Sequence, residues 1–282
     1  MSWTPSLPAQ FEAQHGYKIH KYLPLLMWGN NNINLQQGSP GRVRVQFAAA
    51  NQHLGYINDY RATLGAAYGL YIKRLSSWAH NIGVGLSMQP SYNLPLDIAT
   101  SIPLVDIPET ESLQFADNVD GYRQFTGISV LAGRNVISNE MGARFLKAYQ
   151  YTTRDLLLSI HKAVAGGVNR FVLHGLQYTG PYYDTTWPGY TAFQYFFAEL
   201  NSPRHPAWSN GFSDVLDYIS RLSHVQQKGV RRIDVALLNK PSVTNPNFPR
   251  IYAHDDLVQN GELVCLAKRN PQLLGAPKHM LT

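Results

Sequence analysis

Residues 152–174 read TTRDLLLSIHKAVAGGVNRFVLH, and this stretch decides the fold class. Leu156, Leu157, Ile160 and Val164 recur at helical spacing, Thr152 or Thr153 is available as N-cap, and Gly166-Gly167 ends the run. Arg170–His174 then reads as a strand. A helix that gives way to a buried strand within a few residues is half of a crossover unit, so the stretch predicts a parallel sheet.

The same alternation extends outward. Ile57, Tyr60, Leu64, Tyr68, Tyr71, Leu75 and Trp78 mark one face of a helix over Tyr56–Ala79, stopped at Asn81-Ile82-Gly83. Val84–Met88 and Ser101–Ile107 read as buried strands, the second closed by Pro108. Gly127–Leu131 and Asn135–Asn139 are short extended candidates around Ala132-Gly133-Arg134. Val215, Ile219, Leu222 and Val225 define a helix over Ser213–Gln227, halted by Gly229 and followed by a strand at Ile233–Leu238. Polar residues fall just past these strands: Gln89, the Asp106–Glu111 group, Glu140, His174 and Asn239. The pattern predicts a TIM-type (β/α)8 barrel over residues 1–240, with its site at the strand carboxyl ends. About six or seven strand candidates emerge, fewer than the eight a closed barrel needs. Either one strand escapes the pattern or the first part of the barrel lies upstream of Met1. Residues 241–282, rich in Pro and Asn without clear period, read as a linker or the start of a following domain.

Composition narrows the ligand. The chain has 282 residues and 44% hydrophobic content, enough for a full core. Its formal charge is +6, but the basic residues are scattered, the densest group being Lys228, Arg231 and Arg232, which argues against a nucleic-acid partner. No apolar run approaches a membrane span, since Leu23–Trp28 is short and interrupted by Pro24. Cys265 is the single cysteine, so neither an internal disulfide framework nor a cysteine metal cluster is expected. A charged fraction of 15% beside 17 Tyr and 5 Trp favours flat, uncharged ligands such as sugars.

Two segments carry the chemistry. Val105-Asp106-Ile107-Pro108-Glu109-Thr110-Glu111-Ser112 sets Asp106, Glu109 and Glu111 where a buried strand leaves the core. Val136-Ile137-Ser138-Asn139-Glu140-Met141-Gly142 sets Glu140 between an apolar strand and a glycine, with Asn139 beside it to hold a ligand hydroxyl. Glycoside hydrolysis needs one carboxyl that delivers a proton to the leaving oxygen and a second, ionised, that activates water or attacks the sugar carbon. Glu140 and Glu111 are the expected catalytic pair. Asp106, Glu109, Asn139, His174, Tyr178 and Trp187 are the expected sugar contacts, although a helix N-terminus would also attract the acids and His174 would also suit a core position. No dinucleotide fingerprint, phosphate loop, nucleophile elbow or zinc-peptidase motif occurs. Lys240, after the strand at Ile233–Leu238, is better read as a surface lysine than as a Schiff-base nucleophile.

The wording of several segments resembles the glycoside hydrolase family 106 α-L-rhamnosidases and their fungal secreted relatives. These are Trp3-Thr4-Pro5 with Phe11, Gly16-Tyr17 and Tyr22-Leu23-Pro24, then Asp106-Ile107-Pro108 with Glu111, and Ile128 to Glu140. Ala165-Gly166-Gly167-Val168-Asn169-Arg170-Phe171-Val172-Leu173-His174, Asp234-Val235-Ala236 and Asp256-Leu257-Val258 complete the set. The resemblance implies an (α/β)8-type barrel followed by β-sandwich domains, inverting hydrolysis of terminal α-L-rhamnose, calcium near the site and an extracellular setting. It also implies that Glu111 is the glutamate of the D-x-P-x-x-E segment, Glu140 the glutamate ending the next strand, and His174 the histidine after it. Beside these glutamates the chain carries Ser112-Leu113 and Met141-Gly142, where family members carry an aromatic pair and phenylalanine-threonine. A sugar-binding or structural barrel without catalysis is the alternative from another class.

Overall fold

The computed structural model describes residues 3–28, 55–90, 96, 98–115, 117–144, 150–175, 208–229, 235–239, 261–265 and 280–281. In chain order the elements are α1 (Leu7–His15), a 3-10 turn (Ile19–Tyr22), α2 (Leu23–Trp28), α3 (Gly55–Asn81), β1 (Ser87–Met88) and α4 (Ile98–Ser101). A 3-10 turn (Ile102–Leu104), β2 (Ile107–Glu111), α5 (Ser112–Phe115), α6 (Val119–Leu131), β3 (Ser138–Met141), α7 (Thr153–Ala165) and β4 (Arg170–Leu173) follow. The last are a kinked turn (Trp208–Phe212), α8 (Ser213–Lys228), β5 (Val235–Asn239), β6 (Gly261–Cys265) and β7 (Met280–Leu281). They fall into two compact units, one of Met1–Val105 with Ile233–Thr282 and one of Asp106–Arg232.

The first unit has a helical core. Leu7 and Phe11 on α1, Ile19, Leu25 and Leu26 from the next turns, and Tyr56, Tyr60 and Leu64 on α3 pack into one apolar cluster. Gly16 at φ 75° ends α1 in the left-handed region that glycine adopts without strain. The chain then returns Tyr17 edge-on to Phe11 at 4.9 Å between ring centroids. Tyr22 stacks on Tyr56 at 4.9 Å. Polar ties sit at the rim: the Tyr17 hydroxyl donates to Asp59 at 2.7 Å, and His15 meets the Thr63 hydroxyl at 3.0 Å. Burial, then the bond to Asp59, pushes the Tyr17 phenol far above its usual range, so it stays a donor. In the same unit β5, β6 and β7 form an antiparallel sheet with Val235 opposite Cys265 and Leu263 opposite Leu281. Two of those strands lie within residues 241–282, read from sequence as a linker or the start of a following domain.

The second unit is the mixed α/β part. β2, β3 and β4 run parallel, with Thr110 opposite Asn139 and Glu140 opposite Val172, and α6 and α7 are the crossovers between them. One sheet face carries Thr110, Ile137, Asn139 and Met141, all fully buried, against Tyr122 and Phe125 of α6 and Leu156 and Ile160 of α7. Each such large apolar side chain contributes about 1.5–3 kcal/mol by leaving water. Within this unit β3 lies between β2 and β4.

Three expectations are corrected here. Ser101–Leu104 is helical and the strand begins at Ile107, because a short apolar run does not distinguish a buried turn from a strand, and Pro103 suits the first turn of a 3-10 helix. Pro108 lies inside β2, ahead of the stretch paired with β3, so its missing N–H breaks no bond of that ladder. Gly127–Leu131 is the end of α6, capped at its start by Asn118, whose side chain accepts from the Gly121 amide at 3.0 Å. The strand expected at Asn135–Asn139 is displaced to Ser138–Met141.

Gly166, between α7 and β4, is required by close approach: a Cβ there would stand 2.3 Å from that of Tyr122. Gly166→Ala is therefore expected to lower stability by about 1–3 kcal/mol in urea unfolding, the range for overpacking a filled core. α7 opens with a capping box in which Thr152 accepts from the Asp155 amide and Asp155 accepts from the Thr152 amide. Thr152→Ala should cost about 1 kcal/mol. The hydrogen bonds from Thr152 hold the Asp155 carboxyl below its usual value of 3.8. A depressed folded value makes its contribution fully present above that pH and lost as pH falls through the folded value. The stability gap between wild type and Asp155→Ala should accordingly close on acidification.

Candidate active site

Successive residues of a strand point to opposite faces, so Thr110 and Asn139, buried against the helices, leave Glu109, Glu111, Ser138 and Glu140 on the other face. Glu111 ends β2 and is the direct partner of Glu140 near the end of β3. The two glutamates picked from sequence thus emerge side by side at the carboxyl edge of the parallel strands. β4 adds His174 immediately past its last residue; its backbone amide donates to the Met141 carbonyl at 2.7 Å, and its Nε2 stands 3.9 Å from Glu140 Oε1. His174 is 13% and Glu140 30% exposed, so both are within reach of solvent yet walled on several sides. One layer deeper, the Ser138 hydroxyl donates to Glu109 at 2.6 Å, which ties that carboxylate to the neighbouring strand.

Two expected sugar contacts are placed elsewhere. Asn139 is fully buried on the helix side of the sheet and donates to the Thr110 hydroxyl at 2.8 Å. Adjacent residues on one strand cannot share a face, which is why it does not stand beside Glu140. Asp106 precedes β2 and faces Arg134 at 3.6 Å. It lies five residue steps before Glu111, about 16 Å at the usual rise, so it belongs to the amino edge of the sheet. Tyr178, Trp187 and Lys240 lie outside the described residues.

Behind the carboxyl edge is a buried polar group that the sequence reading passed over. Asp117, 6% exposed, sits at φ 54°, a conformation that non-glycine residues rarely hold without local support. Arg144, four residues past Glu140, donates to it, as does the Ser159 hydroxyl of α7 at 2.7 Å. Tyr151 donates to Ser159 at 2.6 Å and lies under the Arg144 guanidinium, 5.0 Å from its ring centroid. Burial, then the charge of Asp117, pushes the Tyr122 phenol well above its usual range. The available sequence signal was thin: an acid directly before the Asn118 N-cap and an arginine after Gly142. Arg144→Met is expected to cost about 2 kcal/mol in chemical denaturation, below the figure for a fully buried pair because the guanidinium is 39% exposed.

The arrangement offers two neighbouring carboxyl groups and an imidazole on a rigid parallel scaffold, a donor set for acid–base chemistry. Among the described residues no group of three or more His, Cys, Asp or Glu side chains is placed to hold a metal ion. No helix among them is long and apolar enough to cross a membrane.

A search of curated proteins finds no match. Among solved structures, a rhamnosidase from Novosphingobium sp. PP1Y is similar at 19% identity and a TM-score of 0.48, over 81% of this chain and 21% of that one. The chain therefore spans about a fifth of the length of that structure. A family model described as alpha-L-rhamnosidase, glycoside hydrolase family 106, matches residues 1–262. With nearly its whole length matched by that model, the chain belongs to the glycoside hydrolase family 106 α-L-rhamnosidases.

Proposed function

We propose that this chain forms part of the catalytic domain of an inverting exo-glycosidase that removes terminal α-L-rhamnose or a closely related sugar. Glu111 and Glu140 serve as the acid and base, and His174 orients Glu140 or the sugar beside it. The observation that carries the reading is the direct register of Glu111 with Glu140 at the carboxyl ends of adjacent parallel strands. In this reading the β2-α6-β3-α7-β4 succession is a sector of a (β/α)8 barrel, whose active site lies at that edge.

Inversion needs the carboxyl groups roughly 6.5–9.5 Å apart, with water between one of them and the sugar. Neighbouring strands stand only about 4.8 Å apart, so the two side chains must lean away from each other. His174 supports that separation, since it approaches Glu140 from β4, on the side opposite β2. The family's named activity suggests the sugar, and the neighbouring glutamates support acid–base chemistry.

The test is release of the aryl alcohol from 4-nitrophenyl α-L-rhamnoside. Glu140→Gln and Glu111→Gln should each lower kcat by about 10²–10⁴-fold, the usual contribution of a positioned acid or base. Proton NMR of the first product should show the anomer opposite to the substrate's. Undiminished turnover in either variant would remove that residue from the mechanism. Rhamnoside binding by wild type without any product would favour a non-catalytic sugar-binding domain.

A further inference from the structure

Resting on that reading of Glu111 and Glu140, we propose that Ser112 is a positioning residue: its hydroxyl clamps β2 to β3 just beyond the two glutamates and fixes their separation. The paired ladder between these strands ends at Glu111 and Glu140. Beyond that point no strand pairing between β2 and β3 holds the backbones together, because Ser112 opens α5 and Gly142 turns the other chain at φ 101°. The Gly142 amide instead donates to Ser112 Oγ at 3.2 Å. Ser112 is 5% exposed and Gly142 is buried, so water does not readily replace that acceptor.

On the other side of the glutamate pair a second bridge exists, with the Asn139 amide donating to Thr110 Oγ1 at 2.8 Å and the Thr110 hydroxyl donating to the Ser138 carbonyl at 3.1 Å. That inner bridge reinforces a ladder already closed by backbone bonds. The outer one stands alone at the end of the pairing, so it has the larger effect on how far the two strand ends spread. Each glutamate is thereby held between a bridge before it and a bridge after it, while its own side chain projects from the face opposite Thr110 and Asn139.

Turnover of 4-nitrophenyl α-L-rhamnoside by the full chain tests the clamp, at a temperature well below the unfolding midpoint measured for each variant. Ser112→Ala should lower kcat about tenfold or more, as small misplacements of reacting groups do. KM should stay within about twofold if sugar binding is left intact. Ser112→Thr, which keeps the hydroxyl, should restore most of the rate. A wild-type kcat in Ser112→Ala, or a loss that threonine fails to rescue, overturns the positioning role. If Ser112→Ala does not fold, Ser112→Cys, similar in size with a weak acceptor, takes its place with the same outcomes. Glu140→Gln in the same series separates the two levels. Its loss of turnover beside an unaffected Ser112→Ala rejects only the clamp, whereas its full activity rejects the reading of the site and the clamp with it.

Discussion

Parallel pairing of β2 with β3 allows one register, in which Thr110 meets Asn139 and Glu111 meets Glu140. A slip of β3 by one residue would turn buried Ile137, Asn139 and Met141 to the opposite face and bring the Glu140 carboxylate toward the helices. The apolar contacts of α6 and α7 thus enforce the alignment of two acids that never touch that core. Side-chain bridges from Thr110, Asn139 and Ser112 add to the constraint from the buried face. The geometry of the site follows from packing on its opposite side.

The two edges of the sheet divide the work. At the amino edge Asn169 accepts from the Ile137 amide and donates to the Asn135 carbonyl, both at 2.8 Å, while Gln227 at the end of α8 donates to the Asn169 carbonyl. Asp106 and Arg134 face each other at that edge. These contacts join the strand starts to the helix ends. At the carboxyl edge lie Glu111, Glu140 and His174, with the Asp117–Arg144 pair supporting the loops behind them. Tight joining at one edge permits the other to hold charged groups near one another.

Much of this was legible in the residues alone. The helix with its terminating glycines before β4, the strand character around Glu140 and the pairing of two strand-end glutamates all follow from period and turn chemistry. What escaped has identifiable causes. Gly127, Ile128 and Val130 look extended in isolation, but Asn118 caps a helix whose Tyr122 and Phe125 bury themselves, and tertiary packing overrides local preference. Ser101–Leu104 is too short for periodicity to arbitrate. Asn139 was assigned to the ligand side because sequence neighbours look like spatial neighbours, which strand alternation forbids. The Asp117–Arg144 pair was invisible because its members are separated in sequence and joined only by the turn after β3.

The central claim is that Glu111 and Glu140 stand directly opposite each other on adjacent strands, and a crosslink measures that most directly. With the native thiol removed by Cys265→Ser, Glu111→Cys combined with Glu140→Cys places two thiols at one register position. Neighbouring strands bring the Cα atoms within the span a disulfide bridges. Mild oxidation of the folded protein should abolish both free thiols and lower the intact mass by two hydrogens, about 2 Da, as disulfide formation requires. Two thiols that remain titratable after oxidation of the folded chain would contradict the register and the site built on it.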